Sequence, residues 1–115
     1  MTPDRLAQAL EAWNTGDPDR VVAYFADDSA YHASFGSELL GKSYVGKEAV
    51  REGVRAFFER YPDGRFEDTT VFVAGDRGAA EWTFVADGVR VHGCDLFEFE
   101  DDLIRTKNAF RKQPL

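Results

Sequence analysis

The sequence predicts an α+β domain: three helices, with one strand among them, followed by an antiparallel meander. Two observations predict it. Before residue 62 apolar residues recur three or four apart, and after residue 64 they alternate. The alternating segments are separated by Gly75-Asp76-Arg77-Gly78, Asp87-Gly88 and Asp101-Asp102. Asp-Gly between alternating segments is a strong hairpin signal. One curved sheet then packs its concave face against the helices.

Thr2-Pro3-Asp4 is a helix start, with a capping hydroxyl and Pro at the first helical position. Leu6, Ala9, Leu10 and Trp13 follow at helical spacing, and Asn14-Thr15-Gly16 ends the run. Asp17-Pro18 opens a second helix whose apolar side is Val21, Val22, Tyr24 and Phe25, closed by Asp27-Asp28. Residues 29–34 suit a short strand and 35–45, with Gly36 and Gly41, a loop. Residues 47–61 form the third helix, carrying Ala49, Val50, Val54, Phe57 and Phe58 on one side. Gly53 inside it costs about 1 kcal/mol relative to Ala, which argues for close packing there. Strands are expected at 66–74, 79–86, 89–100 and 103–112.

At 115 residues the chain is one domain, with 43% hydrophobic residues and ten Phe to fill a core. The net charge of −7 argues against nucleic acid and anionic membranes, which both select basic surfaces. No apolar run approaches the ~20 residues of a membrane span. The polar N-terminus lacks a signal peptide's apolar core. The single Cys94 excludes an internal disulfide and suits a reducing compartment. The expected location is the cytoplasm.

Turn geometry fixes which residues face each other. A two-residue Asp87-Gly88 loop pairs Phe84 with Val91, Trp82 with Gly93 and Ala80 with Asp95. A two-residue Asp101-Asp102 loop pairs Phe99 with Ile104, Phe97 with Thr106 and Asp95 with Asn108. One face then carries Ala80, Trp82, Phe84, Val91, Gly93, Asp95, Phe97, Phe99, Ile104, Thr106, Asn108 and Phe110. The other pairs Glu98 with Arg105. A three-residue loop would instead put Lys107 opposite Asp95 and give the pocket, through Lys107 and Arg111, an anion-binding character. The first register is preferred because it keeps Ile104 and Phe110 inside.

Asp95 is the odd residue on this face. A carboxylate in an apolar row costs energy unless it is paired, protonated or wet. It is read either as the acid of a pocket or as a structural carboxylate, bonded to Asn108 or lying near the sheet edge.

Several segments together resemble the nuclear transport factor 2-like superfamily, in particular its SnoaL-like and ketosteroid-isomerase-like members. They are Gly16-Asp17, Tyr24-Phe25-Ala26-Asp27-Asp28, Phe35-Gly36, Gly46-Lys47-Glu48-Ala49-Val50 and the run from Gly93 to Ile104. The resemblance covers nearly the whole chain, so residues 1–115 are expected to be one such domain. It implies a cone-shaped, cystatin-like curved antiparallel sheet packed against three N-terminal helices, a pocket between them, and a homodimer through the outer sheet face.

The resemblance also says what is missing. The general-base aspartate of the ketosteroid isomerases falls at Ala33 and their oxyanion-hole tyrosine at Ala9. Their second oxyanion-hole acid, held neutral by an apolar site so that it donates a hydrogen bond, falls at Asp95. The arginine of limonene-epoxide-hydrolase-like members falls at Gly93. Asp95 also stands where the acid/base residue of a SnoaL-type cyclase would serve. Whether the chain is an enzyme stays open between an isomerase- or cyclase-like activity and plain binding.

The expected partner is an apolar small molecule. Asp95 is the candidate catalytic residue, and Tyr31, Trp82, Phe84, Phe97 and Asn108 are the candidate ligand contacts. Tyr31 faces the pocket if Ala33 does, which turns His32 outward. His92 and Cys94 alternate with pocket-facing residues and belong to the outer face, so Cys94 is not a nucleophile. Two His and one Cys without clustered spacing suggest no metal, and no cofactor is expected. The competing reading is a non-catalytic dimerisation or protein-interaction module whose cavity is simply core.

Overall fold

The computed structural model describes residues 1–113. Helices α1 (Pro3–Ala12), α2 (Pro18–Val22) and α3 (Lys47–Arg60) pack on one six-stranded sheet. Its strands are β1 (Phe25–His32), β2 (Ser43–Val45), β3 (Arg65–Ala74), β4 (Arg77–Ala86), β5 (Val89–Glu100) and β6 (Leu103–Arg111), in the order β2-β1-β6-β5-β4-β3. Every pairing is antiparallel except β1 with β6, which is parallel.

The helix starts follow the capping residues. The Thr2 hydroxyl accepts from the Arg5 N–H at 3.1 Å, and the Asp17 carboxylate from the Asp19 N–H at 2.9 Å. Leu6, Ala9 and Leu10 bury one side of α1. Helix α2 stops at Val22, short of the expected end. Ile104 N–H donates to the Tyr24 carbonyl at 2.8 Å, and Phe25 pairs with Ile104. The β6 strand thus captures residues that would otherwise extend the helix. Strand β1 accordingly runs from Phe25 rather than residue 29, and the expected loop contains β2, paired with β1.

Gly53 is tightly packed: a Cβ there would lie 2.6 Å from the Tyr44 ring, so α3 can approach β2 only without one. The Arg5 Nε donates to the Asp102 carbonyl at 2.7 Å, tying α1 to the β5–β6 turn.

The β4–β5 hairpin has the expected register throughout, including Trp82 with Gly93 and Ala80 with Asp95. Asp87 and Gly88 both take positive φ, 53° and 76°, as a two-residue primed turn requires.

The β5–β6 hairpin departs from expectation. Its two-residue turn is present, with Glu100 opposite Leu103 and Phe99 opposite Ile104. Arg105 is then an extra residue: the next pair is Glu98 with Thr106, a β-bulge. Beyond it every β6 side chain changes face. Asp95 lies opposite Ala109, Phe97 opposite Lys107 and Leu96 opposite Asn108. Thr106, Asn108 and Phe110 therefore leave the concave face, and Lys107 is buried instead. The expected Glu98–Arg105 pair is lost with the register. Glu98 binds Arg77 at 3.2 Å, and Arg105 lies 4.0 Å from Asp28.

The core fills the space between helices and concave face. Trp13, Phe57, Phe66 and Phe84 form a continuous aromatic cluster in it, and Phe97 stacks on Phe99 at 5.8 Å between ring centroids. Among the described residues no helix is long and apolar enough to cross a membrane.

Candidate functional site

Asp95 is fully buried, and both of its carboxylate oxygens are bonded. Trp82 Nε1 donates to Oδ2 at 2.8 Å, and Lys107 Nζ donates to Oδ1 at 3.0 Å. Two local features build this arrangement. Gly93 makes room for the indole of its cross-strand partner: a Cβ there would lie 2.3 Å from the Trp82 ring. The Arg105 bulge turns Lys107 inward. A buried carboxylate is tolerated when paired and hydrogen-bonded, and this one is both.

Lys107 is almost as buried as its partner, with 3% of its surface exposed. Its ammonium lies 4.4 Å from the centroid of the Trp13 ring and 5.2 Å from that of Tyr31. Ring faces attract cations, so the two aromatics replace part of the lost hydration. Asp95 lines none of the cavities described here; Lys107 stands between it and the open space.

That space has two parts. A void of about 30 Å³ lies against Lys107, Trp13, Trp82 and Phe84. It adjoins a cavity of about 470 Å³, with which it shares Tyr31, Phe35, Phe57, Tyr61 and Arg111. The cavity lies between α3, the end of β1, β2 and the end of β6. Tyr44, Ala33 and Arg60 complete much of its wall. Its volume falls within the range of small-molecule sites. A larger surface groove of about 560 Å³ runs along α1 and α2, but Arg5, Gln8, Glu11 and Arg20 line it and no buried polar group reaches it.

The cavity wall has a definite chemistry. Tyr31 and Tyr44 stack at 5.6 Å with 20° between their planes. Burial pushes the Tyr31 phenol well above its ordinary range, and the Asp95 charge adds to this, so the phenol stays protonated. Arg111 donates to the Tyr61 hydroxyl at 2.9 Å and lies against the Tyr61 and Phe84 rings. No Asp or Glu lines the cavity or the void.

Of the residues singled out in the sequence, Tyr31 lines the cavity, whereas Trp82 and Phe84 line the void and not the cavity. Phe97 is core. Asn108 is on the outer face, beside a groove of about 410 Å³ that Phe72, Ala79, Leu96 and Thr106 also line. Ala33 is on the cavity wall, where it offers only a methyl group. His32 Nδ1 lies 2.6 Å from the Ser43 hydroxyl, and His92 meets Glu81 at 3.0 Å. Burial and the charges of Asp95 and Glu81 push the Cys94 thiol up. Among the described residues no three His, Cys, Asp or Glu side chains are grouped to hold a metal.

Lys107 and Arg111 are candidate-site residues that the preferred β6 register hid, and Arg60 and Tyr61, at the end of α3, were not singled out in the sequence. The signal for two of them was present as the alternative face of β6.

A model of the SnoaL-like domain family matches residues 6–106. No curated protein matches the chain. Solved structures share its fold. A proposed polyketide cyclase of Xanthomonas campestris has 21% identity and a TM-score of 0.78, over 93% of this chain and 87% of that one. An uncharacterised cystatin-fold protein of Novosphingobium aromaticivorans has 21% identity and a TM-score of 0.75, over 98% of this chain and 99% of that one. A nuclear transport factor 2-like protein of unknown function from Cytophaga hutchinsonii has 12% identity and a TM-score of 0.75, over 97% of this chain and 90% of that one. At such identities the structures speak for the fold alone, which is the cystatin-like, nuclear transport factor 2-like one, whereas the family model spans most of the sequence: the chain belongs to the SnoaL-like domain family.

Proposed function

We propose that this domain binds a small, largely apolar molecule in the 470 Å³ cavity, its body against Tyr31, Tyr44 and Phe57. The observation that carries the reading is a cavity of ligand size beside a buried, fully paired Lys107–Asp95 couple. In it Asp95 is a positioning residue: it holds Lys107, and Lys107 is the nearer to the ligand. The chemistry such a site suits is hydrogen bonding to, or protonation of, an oxygen of a ketone or polyketide-like molecule. Base-catalysed isomerisation is disfavoured because the wall carries Ala33 and no carboxylate.

The test is a thermal-shift screen of aromatic ketones and polyketide-like compounds on the purified protein, repeated on Ala33→Phe. Stabilisation by at least one compound, lost in Ala33→Phe with the fold intact, is expected. The reading fails if no compound shifts the protein, or if the shift survives the blocked wall.

The outer face favours a second, compatible reading, a homodimer. Phe72, Leu96 and Phe110 are about half exposed there, at 57%, 51% and 47%, an unusual apolar group for a strand surface. Gel filtration should give a dimer and Leu96→Glu a monomer; a monomeric wild type would refute it.

A further inference from the structure

We infer that the ligand of this cavity carries a carboxylate, held by Arg111 and Arg60 while a flat apolar body packs on the tyrosines. This rests on the reading of the cavity as a ligand site and names the class of ligand.

The charge distribution is the first ground. The chain has 21 acidic residues and 14 Lys and Arg, yet the cavity wall carries Arg60 and Arg111 and no acidic side chain. Lys107 adds a third cation in the adjoining void, though its charge is met by Asp95.

The pairing of the arginines is the second. Arg51, Arg55, Arg77 and Arg90 on the outer surface each hold a carboxylate. Among the described residues neither Arg60 nor Arg111 has one within salt-bridge distance. Both instead lie against the ring of Tyr61, at 4.7 and 5.4 Å from its centroid. Two like charges gathered on one aromatic ring repel, and an anion between them relieves that repulsion.

Preorganisation is the third. The Tyr61 hydroxyl takes one donor of Arg111 and fixes the group, while a guanidinium has five. The remaining donors suit the two oxygens of a carboxylate, which a guanidinium binds in a bidentate fork. The stacked Tyr31 and Tyr44 rings and Phe57 offer flat apolar surface across the same cavity, which selects an aromatic or polycyclic body.

The test compares 2-naphthoate with its uncharged isostere 2-naphthamide by calorimetric titration. The expected result is that naphthoate binds more tightly by about tenfold or more, as charge-assisted hydrogen bonds would give. The preference should shrink as salt is raised. Arg111→Gln should abolish the preference for naphthoate over naphthamide, and Arg60→Gln should reduce it. The wild-type and salt comparisons require no variant, so they decide the matter even if Arg111→Gln fails to fold. Equal affinity for the two probes would overturn the carboxylate inference and leave the cavity reading standing. Binding of neither probe would overturn both.

Discussion

Lys107 Nζ lies 3.0 Å from Asp95 Oδ1, and both side chains are buried. Neither is stable there without the other. Replacing Asp95 by Asn leaves an unpaired ammonium against Trp13 and Tyr31, and Lys107→Met leaves an unpaired carboxylate. Each single variant is expected to lose about 3–5 kcal/mol in urea unfolding. The double variant should lose much less than the sum, because no buried charge then remains. Additive losses would show that the pair is not coupled.

Trp82 contributes the second bond to the same carboxylate. Trp82→Phe keeps most of the packing and removes the donor. A loss of about 1.5–3 kcal/mol is expected, the range for a hydrogen bond to a charged group. It should shrink in the Asp95→Asn, Lys107→Met background, where the acceptor is neutral. An unchanged cost there would assign the effect to packing.

Tyr31 makes the domain sensitive to alkali. Its phenol is raised in the fold by burial and by Asp95, from an ordinary value of 10.0. Above that value the unfolded chain releases the Tyr31 proton while the folded chain keeps it. The unfolded state then binds fewer protons, so stability falls as pH rises. The contribution is fully present below pH 10 and is lost progressively above it, by at most about 1.4 kcal/mol per pH unit. Denaturant midpoints of wild type and Tyr31→Phe across this range should converge on this slope. Parallel curves would refute it.

Cys94 should be a poor nucleophile. Burial raises its thiol, and the charges of Asp95 and Glu81 act in the same direction, so the thiolate is scarce at neutral pH. A thiol-specific disulfide reagent should modify it more slowly than free cysteine at the same pH. Faster modification would mean that the outer face opens around it.

Local signals located most of the elements. Thr2-Pro3 and Asp17-Pro18 start helices because each supplies a cap and a fixed φ to its own neighbours. Asp87-Gly88 sets the β4–β5 register because both residues reach positive φ, so Trp82, Gly93 and Asp95 were legible as concave-face residues from the chain alone. Phe25 was misread because its fate is decided by Ile104, about eighty residues away. Two successive valines and a Tyr-Phe pair satisfy a helix and a strand equally well until β6 supplies partners.

The candidate site was legible in half. Asp95 stood out as a carboxylate in an apolar row, but its partner did not. Thr106 and Asn108 or Lys107 and Ala109 can face inward from the same β6 sequence, depending on one extra residue at Arg105. With Asp95 already committed to the interior by β4, the face bearing Lys107 supplies a counter-charge and the other only an amide.

The order of residues by itself determined the α+β architecture, the helix starts and the sheet face that carries Asp95, because each depends on short-range periodicity, caps and a turn. The tertiary structure alone decided which β6 face meets Asp95, where α2 yields to β1, and that the cavity is walled by Arg60 and Arg111. Those outcomes depend on burial of charge and on pairing between distant strands, whose energies exist only once the chain has closed on itself.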